Sequence, residues 1–197
     1  MKRLLDIFLS ISLLVILSPI LLIITFLIFV VDGLPIFFIQ QRIGKNKTSF
    51  NLIKFRTMKN DIYLSDEKRI TKLGSFLRST SLDEIPNLIN VISSKMSIVG
   101  PRPLPVIYEE RFSSAQSVRH NIKPGITGWA QINGRNLNSW EKKFELDIWY
   151  VNNQNLFLDI KIIFLTIITI ISQKGINDKY NKQVKEFQNE KKQKKDQ

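Results

Sequence analysis

Two adjacent carboxylates offer the clearest chemistry in this sequence. Asp83 and Glu84 lie within the segment Arg78-Ser-Thr-Ser-Leu-Asp-Glu-Ile-Pro86. Ser81 and Glu84 fit the spacing of a capping box, so one interpretation is simply the start of a helix. The chemical interpretation is that the two carboxylates hold Mg²⁺, or that one of them attacks phosphorus. Pro86 would fix the backbone that aims the pair.

Basic residues in two further segments could bind the phosphate that such chemistry requires. Arg102 lies between prolines in Ser97-Ile-Val-Gly-Pro-Arg-Pro103, and its guanidinium matches phosphate oxygens in a bidentate way. Lys54 and Arg56 are two residues apart in the segment Lys-Phe-Arg-Thr-Met58. The alternatives are an ordinary proline-rich loop for the first segment and a solvated strand face for the second.

Composition excludes several other classes of protein. The 197 residues suffice for one compact domain beside a membrane segment. With 29 Lys and Arg against 17 Asp and Glu, the net charge of +12 indicates anionic partners. The chain has no cysteine and one histidine, His120, which argues against thiol catalysis, zinc sites and a Ser-His-Asp triad. Any metal should be a hard ion with oxygen ligands.

The N-terminal segment is apolar enough for a membrane. Between Asp6 and Asp32 lie 25 residues without a charge, long enough to cross the hydrocarbon. Ser18 and Pro19 lie at the midpoint, and proline removes a helix hydrogen bond. Basic residues precede and follow the segment, which favours entry and exit by the same face. We predict a re-entrant helix-break-helix anchor over residues 1–32; the alternative is one kinked span.

The rest of the chain predicts a mainly α-helical domain with a little β-structure (α+β), over residues 33–172, followed by a basic tail. The predicted elements are a strand over Phe50–Phe55, helices over Asp66–Arg78, from Ser81 and over Ser139–Val151, and loops at Gly100–Pro105 and Lys123–Gly128. An amphipathic helix is expected near 156–172, in the core or at the membrane interface. Residues 173–197 are predicted to be disordered and to contact anionic lipid.

Four segments in one order resemble the bacterial sugar transferases: IKFRTM, SLDEIPNLINV, MSIVGPRP and KPGITGWAQINGR. More narrowly, they are similar to the small monotopic phosphoglycosyl transferases, which load undecaprenyl phosphate with a sugar phosphate. The resemblance extends from Ser18-Pro19 to Leu165. One departure is the pair Ser94-Lys95, which stands where the family commonly has Gly-Asp before Met-Ser.

The resemblance implies a role for each matched residue. Asp83 would be the nucleophile, Glu84 its partner, and Mg²⁺ the cofactor bound by both. The predicted phosphate- and substrate-binding residues are Lys54, Arg56, Arg78, Arg102, Lys123 and Arg135. The family's anchor is a re-entrant helix broken at Ser-Pro, with the catalytic domain on the cytoplasmic face of the bacterial inner membrane. The implied partners are a UDP-sugar, polyprenyl phosphate and anionic lipids, and no nucleic acid is expected.

The predicted reaction has two displacements. Asp83 attacks the β-phosphorus of a UDP-sugar and UMP leaves; the polyprenyl phosphate then attacks the aspartyl-phosphosugar. One alternative keeps the substrates but leaves Asp83 and Glu84 as metal ligands only, with direct attack by the lipid phosphate. A second alternative is a membrane-tethered basic module for nucleic acid, although the sequence has no recognisable groove-reading or stacking element. A structural membrane scaffold would leave the motifs unexplained.

Overall fold

The computed structural model describes residues 1–61, 63–134, 138–172 and 187. Helices predominate over two two-stranded sheets, in agreement with the predicted α+β class. The α-helices are α1 Lys2–Asp32, α2 Asp66–Arg69, α3 Lys72–Thr80, α4 Leu88–Ile92, α5 Ser114–Ser117, α6 Trp129–Ile132, α7 Trp140–Asn153 and α8 Leu156–Ile171. The sheets pair β1 Phe37–Ile43 with β2 Ser49–Phe55, and β3 Ser97–Val99 with β4 Gly125–Thr127. Short 3₁₀ helices lie at Lys45–Lys47, Leu82–Asn87, Val106–Arg111 and Val118–His120.

The chain divides into two compact units. The first comprises Met1–Gln40 with Asn51–Ile98, and the second Gln41–Phe50 with Val99–Gln197. Helix α1 therefore belongs to the same unit as the segment 51–98. The domain bounds proposed from the sequence remain predictions: an anchor over 1–32, a catalytic domain over 33–172 and a tail over 173–197.

Helix α1 passes through Ser18-Pro19 as one helix with the proline inside it. Of the described helices it is the one long and apolar enough to cross a membrane. Pro19 has no N–H for the carbonyl of Val15, four residues earlier. The Ser18 hydroxyl donates to that carbonyl at 2.8 Å, so the serine replaces the donor that the proline lacks. The re-entrant course of the helix remains a prediction.

The first turns of α1 are bound to α4 and β3. The Arg3 guanidinium donates to the carbonyls of Val91 at 2.6 Å and Ile92 at 2.8 Å. Asp6 is 4% exposed. Its carboxylate accepts from the Ser97 hydroxyl at 2.8 Å and from the following backbone N–H at 3.0 Å. A buried acid at the start of an apolar helix is thereby satisfied by β3.

The last turns of α1 are held by apolar packing in the same unit. Ile24 and Ile28 form a buried cluster with Phe55 and Leu77. Leu82, at the start of the 3₁₀ helix, packs against this cluster. Most of the middle of α1 is exposed. Burial is therefore concentrated towards the two ends of the helix.

The predicted helix Asp66–Arg78 is wrong as a single element. It is divided into α2 and α3 by two extended residues, Ile70 and Thr71. Ile70 forms an isolated β-bridge with Met58, and the Thr71 hydroxyl caps α3 by accepting from the Gly74 N–H at 2.9 Å. The bridge to Met58, twelve residues earlier, thus overrides the local preference for helix.

A helix starts next to Ser81 as predicted, but it is the 3₁₀ helix Leu82–Asn87, and the capping box suggested by the spacing does not form. Ser81 itself ends α3 in the left-handed region, with φ at 59°, and its N–H returns to the Arg78 carbonyl. Its side chain makes no capping hydrogen bond to the 3₁₀ helix Leu82–Asn87 that follows. An N-cap residue normally has an extended backbone, so this conformation leaves Glu84 to bond elsewhere.

In the second unit the predicted helices are confirmed to within two residues. Ser139 caps α7 by accepting from the Lys142 N–H, and Asn155 caps α8 by accepting from the Leu158 N–H. Gly100–Pro105 is irregular except for an isolated bridge at Pro105, as predicted. The predicted loop Lys123–Gly128 contains the short strand β4, which pairs with β3.

Helix α8 is two-faced. One face is buried, with Ile162 fully enclosed, and Asp159 accepts a 2.5 Å hydrogen bond from the Tyr150 hydroxyl. The other face exposes the large apolar residues Phe157, Ile160, Phe164, Ile167 and Ile168. This pattern agrees with the predicted amphipathic helix.

Phe187 is the one described residue of the predicted tail. Its side chain is 3% exposed and contacts Phe144 and Phe112, and Arg111 donates to its carbonyl at 2.5 Å. The prediction of disorder is therefore wrong at this residue, because an aromatic cluster binds it. The rest of that prediction lies outside the described residues.

The contacts of Asp6 generate a test of stability. Asp6→Ala removes the acceptor of the buried Ser97 hydroxyl and of a buried backbone N–H. We expect the free energy of unfolding to fall by about 1–3 kcal/mol, measured by denaturant titration of the purified chain in detergent micelles. Ser79→Ala is the matched control, since the Ser79 hydroxyl donates to the Phe76 carbonyl on an exposed surface. This substitution should lower the free energy of unfolding by less than about 0.5 kcal/mol. Equal stabilities would mean that Asp6 does not hold the helix.

Candidate active site

The first unit brings Lys54 to the carboxylate pair. Asp83 and Glu84 lie in the 3₁₀ helix Leu82–Asn87, and Asp83 is 8% exposed. Lys54 projects from β2, and its Nζ lies 2.5 Å from Glu84 Oε1 and 4.0 Å from Asp83 Oδ2. Lys54 thus forms one cluster with two predicted site residues, the second of them thirty positions further along the chain. The Lys54 ammonium group therefore lies beside both carboxylates.

A buried asparagine joins the two elements of this cluster. Asn87 is 2% exposed, and its side-chain oxygen accepts from the Ile53 N–H at 3.1 Å and from Asn90 Nδ2 at 3.3 Å. It therefore ties the 3₁₀ helix to β2 one residue before Lys54. Sequence reasoning gave Asn87 no role, although a polar residue in the apolar run PNLINV could have indicated one.

Arg78 is oriented by Thr57. Its Nε donates to the Thr57 hydroxyl at 2.9 Å, while the side chain remains largely exposed. Helix α3 approaches this segment closely at Gly74, where a Cβ atom would lie 2.0 Å from the Thr57 carbonyl oxygen. The glycine is therefore required for the position of α3. Thr57 is a second residue whose role the sequence did not reveal.

Arg56 is bound to the end of α1. Its side chain is buried, and its guanidinium donates to the carbonyls of Asp32 at 2.5 Å, Gly33 at 2.6 Å and Leu34 at 3.0 Å. The last carbonyls of a helix have no partner within the helix, and here an arginine supplies the donors. These contacts were not expected from the sequence. The phosphate-binding role of Arg56 remains a prediction.

Two predicted site segments meet within the second unit. The side chain of Arg102 is exposed between buried Pro101 and Pro103. Its loop packs against the Lys123–Gly128 segment so closely that a Cβ on Gly100 would lie 2.4 Å from the Lys123 carbonyl oxygen. Lys123 is itself half-buried. Arg135 lies outside the described residues.

The donor set suits a metal shared with a substrate. Among the described residues, no group of three or more His, Cys, Asp and Glu could hold a metal ion. Mg²⁺ is commonly bound by one or two carboxylates together with substrate phosphates and water. Asp83 and Glu84 fit that arrangement with their oxygen donors, and Mg²⁺ remains a prediction.

His120 is buried in the second unit and is uncharged at neutral pH. Burial and the adjacent Arg119 charge, with a smaller effect from Lys47, lower its pKa from 6.5 to about 3. Its ring packs edge-on against Phe112, with centroids 4.9 Å apart. These surroundings are those of a residue in the core.

Comparison with known proteins agrees with the motifs. The family model described as bacterial sugar transferase matches residues 1–173. An uncharacterized sugar transferase of Bacillus subtilis, EpsL, is 48% identical over 181 residues, which cover 89% of this chain and 90% of EpsL. The UDP-glucose:undecaprenyl-phosphate glucose-1-phosphate transferase of Escherichia coli is 41% identical over 182 residues, covering 85% of this chain but only 39% of that protein. The exopolysaccharide production protein ExoY of Sinorhizobium fredii is 37% identical over 196 residues, covering 88% and 87% respectively.

The family match and the relatives identify the chain as an enzyme. The chain belongs to the bacterial sugar transferase family, which confirms the resemblance found in the four motifs. The predicted enzyme class, a phosphoglycosyl transferase, is confirmed with it.

The lowered pKa of His120 predicts a loss of stability in acid. Between pH 6.5 and 3 the unfolded chain binds a proton at this residue and the folded chain does not, so stability is intact above pH 6.5 and declines below it. We expect about 2 kcal/mol to be lost by pH 5 through this group. The difference between wild-type and His120→Gln unfolding free energies, measured from pH 7.5 to 5, should reveal this slope. Parallel curves would contradict it.

Proposed function

We propose that this chain transfers a sugar phosphate from a UDP-sugar to a polyprenyl phosphate and releases UMP. The observation that carries the proposal is the cluster of Asp83, Glu84 and Lys54 in the first unit. The name of the Escherichia coli relative specifies UDP-glucose and undecaprenyl phosphate, which supports these substrate classes. This chain spans about two-fifths of that relative. The name of the relative therefore does not identify the sugar that this chain transfers.

Asp83 is proposed as the nucleophile. Its carboxylate oxygen forms a bond to the β-phosphorus, and the bond from that phosphorus to the oxygen shared with the α-phosphate breaks, so that UMP leaves. An oxygen of the polyprenyl phosphate then bonds to the same phosphorus, and the Asp83 carboxylate is released. An aspartate is ionised at neutral pH and needs no partner base, which suits a chain with one histidine.

The cations are proposed to neutralise the charge of phosphate oxygens. Lys54 and Arg78 are the proposed phosphate ligands of the first unit, and Arg102 is a proposed phosphate ligand of the second unit, considered by itself. Asp83 and Glu84 would hold Mg²⁺, which supplies further charge neutralisation when bound. Glu84 already contacts Lys54, so it is suited to orient that cation.

We further infer a re-entrant course for α1, with the catalytic residues on the cytoplasmic face. Pro19 lies inside α1 and removes one of its hydrogen bonds. Basic residues precede and follow the apolar run, which supports entry and exit by the same face.

The topology can be tested with single cysteines, because the chain has none of its own. Cysteines replacing Lys2 and Lys45 should both react with a membrane-impermeant reagent only when the cytoplasmic face is accessible. Labelling of one of them from the opposite face would indicate a single span. Pro19→Leu should restore the missing helix hydrogen bond and increase the fraction of chains that span.

The covalent intermediate can be tested by omitting the lipid acceptor. With Mg²⁺ and a reactive UDP-sugar from a panel, the wild-type chain should release up to about one equivalent of UMP. It should retain a sugar-phosphate mass on the peptide that contains Asp83. Asp83→Asn should abolish both signals, because an amide is neither a nucleophile nor an anionic ligand.

Glu84→Gln provides the contrast. It should slow turnover severely but still permit adduct formation, because the nucleophile is intact. If normal turnover with lipid is accompanied by neither a UMP burst nor an adduct, direct attack by the lipid phosphate is the correct mechanism. The carboxylates would then be metal ligands only.

A further inference from the structure

The backbone of the Gly100–Leu104 segment, here named the PRP loop, is held at every residue. The Gly100 N–H donates to the Thr127 carbonyl at 2.9 Å, and the Pro101 carbonyl accepts from the Gly125 N–H at 3.0 Å. The carbonyls of the last two residues accept from the Arg42 guanidinium at 3.2 Å and from the Ile43 N–H at 2.9 Å. Only the central carbonyl, that of Arg102, is bound by a buried charge.

That charge belongs to Arg119. Its side chain is 3% exposed, and its Nη2 donates to the Arg102 carbonyl at 2.7 Å. The same guanidinium binds Asp147 Oδ2 through Nε at 3.0 Å and through Nη2 at 2.7 Å. The rings of Phe112 and Phe144 lie 5.7 and 5.4 Å from its central carbon. The guanidinium is therefore fixed by charge, hydrogen bonds and aromatic contacts.

A buried ion pair is a costly way to fill a core. Removing two charges from water costs several kcal/mol for each ion, and apolar residues of similar volume often serve stability as well or better. Burial also raises the pKa of Asp147, an effect that the Arg119 charge opposes. The unfavourable desolvation of the pair is explained if the pair maintains a geometry that apolar residues would not provide.

We propose that the Arg119–Asp147 pair positions Arg102 for phosphate binding by fixing the Arg102 carbonyl. The proposal rests on the proposed function, in which the exposed Arg102 guanidinium binds a phosphate of the nucleotide sugar. A long side chain on a fixed backbone atom loses less conformational freedom on binding than one on a mobile loop. Arg119 and Asp147 are thus positioning residues that act through Arg102 and do not touch the substrate.

A double-mutant cycle separates positioning from general stability. Arg102→Lys keeps the charge but loses the bidentate fork, and Arg119→Lys keeps a charge but loses the planar fork whose Nε and Nη2 bind Asp147 and the carbonyl. The purified full chain in detergent would be assayed for kcat and KM of UMP release. UDP, which carries the diphosphate without the sugar, would be the binding probe.

We expect each single variant to weaken UDP binding and to lower kcat/KM by about tenfold, the scale of one lost charge-assisted hydrogen bond. The double variant should be no worse than Arg102→Lys alone, because Arg119 has no other route to the substrate. Effects that multiply to about a hundredfold would overturn the positioning role while leaving Arg102 as a phosphate ligand. Wild-type values for Arg102→Lys would instead overturn the phosphate role of Arg102, on which this inference rests.

Two measurements keep the test decisive if Arg119→Lys does not fold. Asp147→Asn preserves side-chain shape and removes the charge that fixes Arg119, so the same cycle can be made with it. Hydrogen exchange of the peptide containing the PRP loop should accelerate in Asp147→Asn relative to wild type, and unchanged exchange would overturn the proposal. Glu145→Gln is the matched control on α7, since its pair with Lys142 is exposed, and it should leave UDP binding and exchange unchanged.

Discussion

The first unit depends on the hydrogen bonds made at the end of β2. Lys54 bonds to the carboxylate pair, Arg56 bonds to the carbonyls that end α1, and Thr57 bonds to Arg78. Three residues within the segment 54–57 thereby join the apolar helix, the carboxylates and a candidate phosphate ligand. Any shift of this short segment changes all three contacts together. The segment Lys-Phe-Arg-Thr-Met58, which first suggested phosphate ligands, therefore also connects the main elements of the first unit.

Each unit contains a buried acid that is satisfied by specific donors. Asp6 accepts from a hydroxyl and a backbone N–H of β3, and Asp147 accepts twice from Arg119. A buried carboxylate without such donors would cost several kcal/mol, so these acids are compatible with few alternative packings. In the first unit this fixes where α1 begins. In the second it fixes the guanidinium that binds the PRP loop.

Much of the local structure could be predicted because its cause is local. The strand at Phe50–Phe55, the helices α7 and α8 and the irregular Gly100–Pro105 follow from hydrophobic pattern, capping residues and prolines. The break between α2 and α3 could not be predicted, since it depends on the pairing of Ile70 with Met58. The resemblance to the family rested on the order of the motifs, which does not depend on the local conformation of a single residue such as Ser81.

The supporting residues of the candidate site were missed for the same reason. Thr57 acts on Arg78 from 21 positions away, Asn87 acts on β2 from 34, and Arg119 binds an acid 28 positions distant. None of these separations has a periodic or motif signature. Such roles become visible only when the fold brings the partners together.

The position of Lys54 supports the proposed division of tasks between the two acids. Its Nζ is in direct contact with Glu84 at 2.5 Å but is 4.0 Å from the nearer oxygen of Asp83. A carboxylate held in a short charge-assisted hydrogen bond has part of its negative charge committed to its partner. At 4.0 Å the same cation acts on the Asp83 carboxylate through its field. Glu84 is therefore suited to hold the Lys54 cation beside the phosphate that Asp83 is proposed to attack.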